Sequence, residues 1–216
     1  RLGHQTEQPQ YSLFSWVGML FSAGLGIGLI YYGTAEPLYH FMAPPMGEAE
    51  TIEAAKQAMN ITFLHFGLHG WALYCFVGLA LAYFHYRHGL PLSIRSTLYP
   101  ILGEKIYGFW GHVVDTLAVF GTMFGVVTSL GLGAQQINSG LELLVDTTNN
   151  MAVQFGIIAL ITTFATISVM LGLNKGIKRL SDINIVIAVL LLLFMIVFGP
   201  TLFIFDSFIE NTGNYI

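Results

Sequence analysis

Followed along the chain, the charged residues leave five charge-free windows at 8–35, 57–86, 116–141, 147–174 and 183–205, each 23 to 30 residues long. A helix needs roughly 20 apolar residues to cross the hydrocarbon core of a bilayer. Each window therefore predicts one membrane-spanning helix, at about 12–34, 60–86, 112–140, 151–173 and 183–205. Runs such as Ile183 to Phe205 do not alternate apolar with polar residues, as transmembrane β-strands do. The expected fold class is all-α: a polytopic membrane protein with five transmembrane helices, forming a single transmembrane domain over 1–216. Between the second and third spans, 87–111 is punctuated by Pro91, Pro100, Gly103 and Gly108, and sets Leu92, Ile94, Leu98 and Ile101 against Arg95 and Ser96. It reads as an amphipathic loop on the cytoplasmic face, with a plain connector as the alternative.

Composition agrees with the pattern. Only 9% of the 216 residues are charged and 55% are apolar, with a mean hydropathy of +0.68, which excludes an ordinary soluble globule with about 25% charged residues. The net charge of −4 and the lack of a basic block give no reason to expect a nucleic-acid partner; the expected surroundings are membrane lipid. Arg1, Arg87, Arg95, Lys105, Lys175, Lys178 and Arg179 fall on one side of the five-span topology and only Lys56 on the other. By the positive-inside rule the N-terminal end is cytoplasmic, and a cell inner (plasma) membrane location follows. Cys75, the single cysteine, lies within a span and reads as a small apolar residue. The chain opens on Arg1, shows no signal peptide, and reads as a fragment.

Three stretches carry candidate chemistry. In span I, Gly24, Gly26 and Gly28 cannot form one stripe, because a two-residue step turns about 200° around a helix. Three glycines weaken the helix and permit local unwinding that turns carbonyl oxygens toward a cation, with Ser22 nearby. The competing reading is close packing of Gly18, Ser22 and Gly26 against a neighbour. In span II, Phe66, Trp71 and Tyr74 fall within one arc of a continuous helix. They are either ordinary packing or a wall of π faces suited to a cation without N–H donors. His65 and His69 share a face at metal-ligand spacing, yet Phe66 occupies the position where a zinc peptidase motif needs Glu; a proton relay and neutral packed histidines are the other readings. In span III, Asp115, Thr122, Val126, Ser129 and Gln136 line one face that either coordinates ions or cross-bonds helices. Asp115, near the cytoplasmic end, needs no partner on this reading, and Glu36 before Pro37 reads as the water-reached end of span I.

Together these stretches resemble the betaine/choline/carnitine transporter family. Gly24-Leu25-Gly26-Ile27-Gly28-Leu29 followed by Gly33-Thr34-Ala35-Glu36-Pro37-Leu38 resembles its glycine-rich segment and Ala-Glu-Pro signature, and His65 to Tyr74 resembles its aromatic-box helix. Leu130 to Ile137 and Gly172 to Ser181 continue the match over nearly the whole chain. The resemblance implies that the five spans are one half of a 5+5 inverted-repeat (LeuT-like) transporter core, whose missing C-terminal repeat is a partner. It assigns Trp71, Tyr74 and Phe66 to substrate binding, with Phe66 standing where many relatives have Trp. It assigns the carbonyls of Ser22 and Leu25 to one sodium ion and the Thr122 hydroxyl to a second site, where Val126 replaces another threonine.

The implied function is import of a trimethylammonium-type or related osmolyte, such as glycine betaine, choline, carnitine or a sulfonium analogue, coupled to sodium or proton. The protein would be no enzyme, with no cofactor beyond Na+ as the coupling ion, and a homotrimer. An ion or solute channel and a non-transporting assembly subunit are the alternative classes.

Overall fold

In a computed structural model of the chain, all residues are described except Arg1, His4, Gln5, Glu7 and Leu25, together with the side chains of Ile27, Gly28 and Leu29. Among the described residues the regular structure is helical throughout, without strands. The α-helices are α1 (Leu13–Gly24), α2 (Ile27–Met42), α3 (Ile52–Phe66), α4 (Leu68–His88), α5 (Ile94–Thr97), α6 (Tyr99–Leu102), α7 (Phe109–Val145), α8 (Met151–Met170), α9 (Lys178–Phe198) and α10 (Thr201–Tyr215). A 3₁₀ turn, Gly103–Tyr107, precedes α7, and a π turn, Leu173–Ile177, joins α8 to α9.

The helix starts are chemically specified. The Ser15 N–H donates to Ser12 Oγ at 3.3 Å, the Ala54 N–H to Thr51 Oγ1 at 3.1 Å, and the Val153 N–H to Asn150 Oδ1 at 3.0 Å. Each serves an amide that has no partner within the first turn. At the other end of α4, Gly89 adopts φ +66° and returns its N–H to His85 O, a left-handed stop that glycine takes without a Cβ penalty.

Ile52–His88, Phe109–Val145, Met151–Met170 and Leu173–Phe198 are long and apolar enough to cross a membrane. The first expected span, 12–34, is divided instead: α1 ends at Gly24 and α2 begins at Ile27. The span expected at 60–86 starts earlier, at Ile52, and is interrupted at Gly67, whose backbone is extended. The span expected at 183–205 stops at Phe198, because Gly199 is extended and Pro200 caps α10.

By the spatial proximity of its Cα atoms the chain falls into two compact units: Arg1–Pro9 with Phe66–Ser129, and Gln10–His65 with Leu130–Ile216. The first holds α4 to α6 and the leading part of α7. There α4 packs on α5, and α6 on the 3₁₀ turn. Ile106 is fully buried and Ser96 is 1% exposed, with Ser96 Oγ donating to Pro91 O at 2.6 Å. Ile101 and Leu92 remain exposed, so 87–111 is a chain of short turns with one buried and one open side. Within it the Tyr99 hydroxyl donates to Glu104 Oε1 at 3.1 Å. That bond, and then the carboxylate's charge, raises the phenol's pKa above its usual value.

In the second unit α9 is the hub. It packs on α1, on α10 and on the π turn, which also meets α8. Asn138 of α7 is fully buried and bonded to Asn149 at 3.0 Å, closing the α7–α8 turn.

Among the described residues Gly111, Gly176 and Gly199 are required by contact, the last against the Met195 carbonyl. A Cβ on Gly111 would collide with the Ile106 carbonyl, and one on Gly176 with the Ser168 carbonyl. Since main chain cannot yield as a side chain does, Gly111→Ala and Gly176→Ala should each destabilise the intact protein by about 1–3 kcal/mol. The measurement is thermal unfolding in detergent; wild-type melting of either variant would show that the main chain moves freely there.

Candidate substrate and ion site

The first candidate feature is the interruption of span I. Gly24 is the last residue of α1, Gly26 is extended (φ −101°, ψ −178°) and caps α2 without a side-chain bond, and Gly28 is helical inside α2. Of the three glycines expected to unwind, Gly26 is thus the one with extended backbone, and Gly28 lies within α2. Leu25 lies outside the described residues. Ser22, in the last turn of α1, accepts a hydrogen bond from Asn184 Nδ2 of α9 at 3.1 Å. One turn earlier Gly18 lies against the Ser181 carbonyl and Ile185, both 3.4 Å from where its Cβ would be. A Cβ on Gly26 would meet nothing within 4 Å. Packing and interruption therefore coexist: Gly18 and Ser22 pack, and Gly26 breaks.

Glu36 does not end a helix. α2 runs through Pro37 to Met42, because a proline without an N–H removes one ladder bond and bends a helix more readily than it stops it. Nor is the carboxylate water-reached. Glu36 is 9% exposed, its Oε1 and Oε2 lie 2.9 and 2.8 Å from His65 Nδ1, and its Oε1 lies 3.8 Å from His40 Nε2. Beside this pair, a groove of about 470 Å³ is lined by Gly33, Thr34, Pro37 and Leu38 of α2 and by Ala55 and Ala58 of α3. The pair was missed in the sequence because Glu36 and His65 are 29 positions apart, beyond any helical spacing.

The aromatic residues belong to the other unit. Trp71 and Tyr74 are on α4, with ring centroids 5.5 Å apart and planes at 42°. The Trp71 indole N–H donates to the Phe66 carbonyl at 2.9 Å, and Tyr74 is 73% exposed. Phe66 is the final residue of α3, so the single arc computed for a continuous helix does not hold across Gly67. The same break puts His65 and His69 on different helices. Among the described residues no group of three or more His, Cys, Asp or Glu is placed to hold a metal ion.

In that unit Thr122 Oγ1 donates to Ala118 O at 3.0 Å, within α7. Together with Asp115, Val119, Ser93 and Ile94 it lines a groove of about 590 Å³. Val126, one turn on, is 61% exposed. Asp115 does take a partner, contrary to the expectation: Arg95 Nε is 3.1 Å from its Oδ2 and the Arg95 N–H donates to its Oδ1 at 3.1 Å.

If the Glu36–His65 contact ties α2 to α3, Glu36→Gln and His65→Ala should be coupled. A double-mutant cycle on the thermal stability of the full-length protein should return about 1 kcal/mol, modest because the His65 ring is 64% exposed. Strict additivity of the two losses would show that the contact contributes nothing.

Residues 1–216 match the family model for betaine/carnitine/choline transporters along their whole length. A glycine betaine transporter of Acinetobacter baylyi is 50% identical over 216 residues, 100% of this chain and 33% of that protein. A high-affinity choline transport protein of Escherichia coli strain K12 is 48% identical, again over all of this chain and 32% of its own length. A glycine betaine transporter of Bacillus subtilis is 51% identical, with 42% of it covered. The chain thus spans a third to two-fifths of the length of these curated relatives.

Proposed function

Because the chain belongs to the betaine/carnitine/choline transporter family, we propose that it forms the first five-helix repeat of a secondary active importer for a small trimethylammonium-type osmolyte, driven by sodium or proton entry. The family is one of transporters and not of enzymes, so no bond is made or broken. The observation that carries the substrate class is the Trp71–Tyr74 pair. A quaternary ammonium group has no N–H to donate and is held by π faces, each contributing roughly 0.5 to 2 kcal/mol. The Trp71 indole edge is already committed to Phe66 O, and Tyr74 stands open beside it. Sulfonium analogues carry the same diffuse charge and fall in the same class.

For the ion, the interruption at Gly24 to Ile27 supports a cation site. Carbonyls in the last turn of a helix lack ladder partners, and Ser22 lies in such a turn of α1; the Ser22 and Leu25 carbonyls are the ligands of this proposal. Thr122 spends its proton on Ala118 O, which leaves its oxygen lone pairs for a second cation. Val126 offers none. The bundle would lie in the plasma membrane with the Lys- and Arg-bearing loops inside, pair with the C-terminal repeat of the same protein, and assemble as a homotrimer.

The test is uptake by the full-length protein in proteoliposomes, with glycine betaine and choline as probes and either a sodium or a proton gradient imposed. Concentrative, saturable uptake supports the carrier; conduction only down the gradient overturns it. Within that assay Trp71→Ala should weaken apparent substrate affinity about two- to thirtyfold, the loss of one cation–π face, and Trp71→Phe should cost less. Equal losses would point to the indole N–H, and so to its bond with Phe66 O, as the quantity that matters.

A further inference from the structure

The helix α1 stops at Gly24, and its described tertiary contacts run chiefly to α9. Two side-chain bonds fasten it there, one on each side of the Gly18 contact: Ser15 Oγ donates to Asp182 Oδ2 at 3.3 Å, and Asn184 Nδ2 donates to Ser22 Oγ at 3.1 Å. The second bond is the last before the interruption. Ser22 stands two residues from the end of α1, in a turn whose carbonyls lack helical partners and whose glycine neighbour provides no stiffness. We propose that Asn184 is a positioning residue for the coupling ion: by holding the Ser22 hydroxyl it fixes the turn of α1 whose oxygens face the helix break. The inference rests on the reading of Ser22 as part of an ion site, and it adds a residue of α9, which that reading does not include.

A terminal turn held from one side by a neutral hydrogen bond has few alternatives when that bond is lost. It frays, and the oxygens that must converge on a cation then spread over several arrangements, so binding is weakened by the population no longer competent. A net hydrogen-bond contribution of the usual size corresponds to about two- to tenfold in apparent ion affinity.

The experiment uses the full-length carrier and two readouts, the sodium concentration for half-maximal uptake and the sodium-dependent rise in melting temperature of the purified protein without substrate. Asn184→Leu keeps the volume and removes the donor. It should raise the half-maximal sodium concentration about two- to tenfold and shrink the sodium-induced melting shift. Asn184→Asp can accept from the Ser22 hydroxyl instead and should stay close to wild type. Ser22→Ala should match Asn184→Leu, and the Ser22→Ala/Asn184→Leu double variant should be no worse than either alone.

Unchanged sodium dependence in Asn184→Leu, or additive losses in the double variant, overturns the role of Asn184 while leaving the carrier reading intact. A wild-type carrier indifferent to sodium in both readouts overturns the sodium reading itself and the positioning role with it. Equal damage from Asn184→Leu and Asn184→Asp, in melting temperature without sodium, would make the contact structural only and also overturns the proposal.

Discussion

A helix that stops inside a bilayer leaves its last carbonyls and first amides without ladder partners, and hydrocarbon supplies none. Much of this chain's architecture answers that constraint. α1 has 12 residues and α2 has 16. At 1.5 Å per residue they reach about 18 and 24 Å, so neither crosses a core of about 30 Å by itself. A crossing by the span expected at 12–34 would need both, and exposed backbone at the interruption would then be tolerated only against protein or around a polar guest. Glycine at positions 24 and 26 lowers the cost of opening the ladder there.

An interrupted helix has a second requirement, because its halves are no longer held in line by their own hydrogen bonds. Here each half is fastened separately within the same unit. α1 is fastened to α9 through Ser15–Asp182 and Asn184–Ser22, with Gly18 allowing close approach. α2 is fastened through the buried Glu36 to His65 at the end of α3. The bonds in these fastenings differ in strength. A carboxylate 9% exposed that loses its partner leaves a charge in a poor medium, whereas an amide–hydroxyl bond can be exchanged at modest cost. Both fastenings include a carboxylate, Asp182 for α1 and Glu36 for α2.

The sequence disclosed what depends on local pattern. Charge-free windows pointed to the four helices long and apolar enough to cross a membrane, and the clustered glycines in span I fall where α1 gives way to α2, since both are read from neighbours in sequence. Helix continuity was less legible. Pro37 looked like an end, but α2 passes through it because a proline removes a single ladder bond. Gly67 did not look like an end, yet α3 stops at Phe66, and a lone glycine inside an apolar run carries no sign of which way it will resolve. The pairings Glu36–His65, Arg95–Asp115 and Asn184–Ser22 were illegible, because each joins residues 20 or more positions apart and no period connects them.

The break at Gly67 bears on recognition through the same constraint. A carbonyl at the final position of a helix has no amide of its own helix to bond, and Phe66 is the final residue of α3. Its oxygen takes the Trp71 indole N–H at 2.9 Å, so the ring that follows the break bonds back to the residue that precedes it. The ring is then fixed by its edge and cannot turn to donate that proton elsewhere, which leaves its face as its remaining means of attraction. A face binds charge without directional hydrogen bonds, and a methylated ammonium offers charge without donors. In a continuous helix the Phe66 carbonyl would be taken by the amide four residues on, the indole would need another acceptor, and the orientation of Trp71 would pass to whatever packed around it. The helix break is thus accompanied by an indole edge fixed on the Phe66 carbonyl, with the ring set 5.5 Å from that of Tyr74.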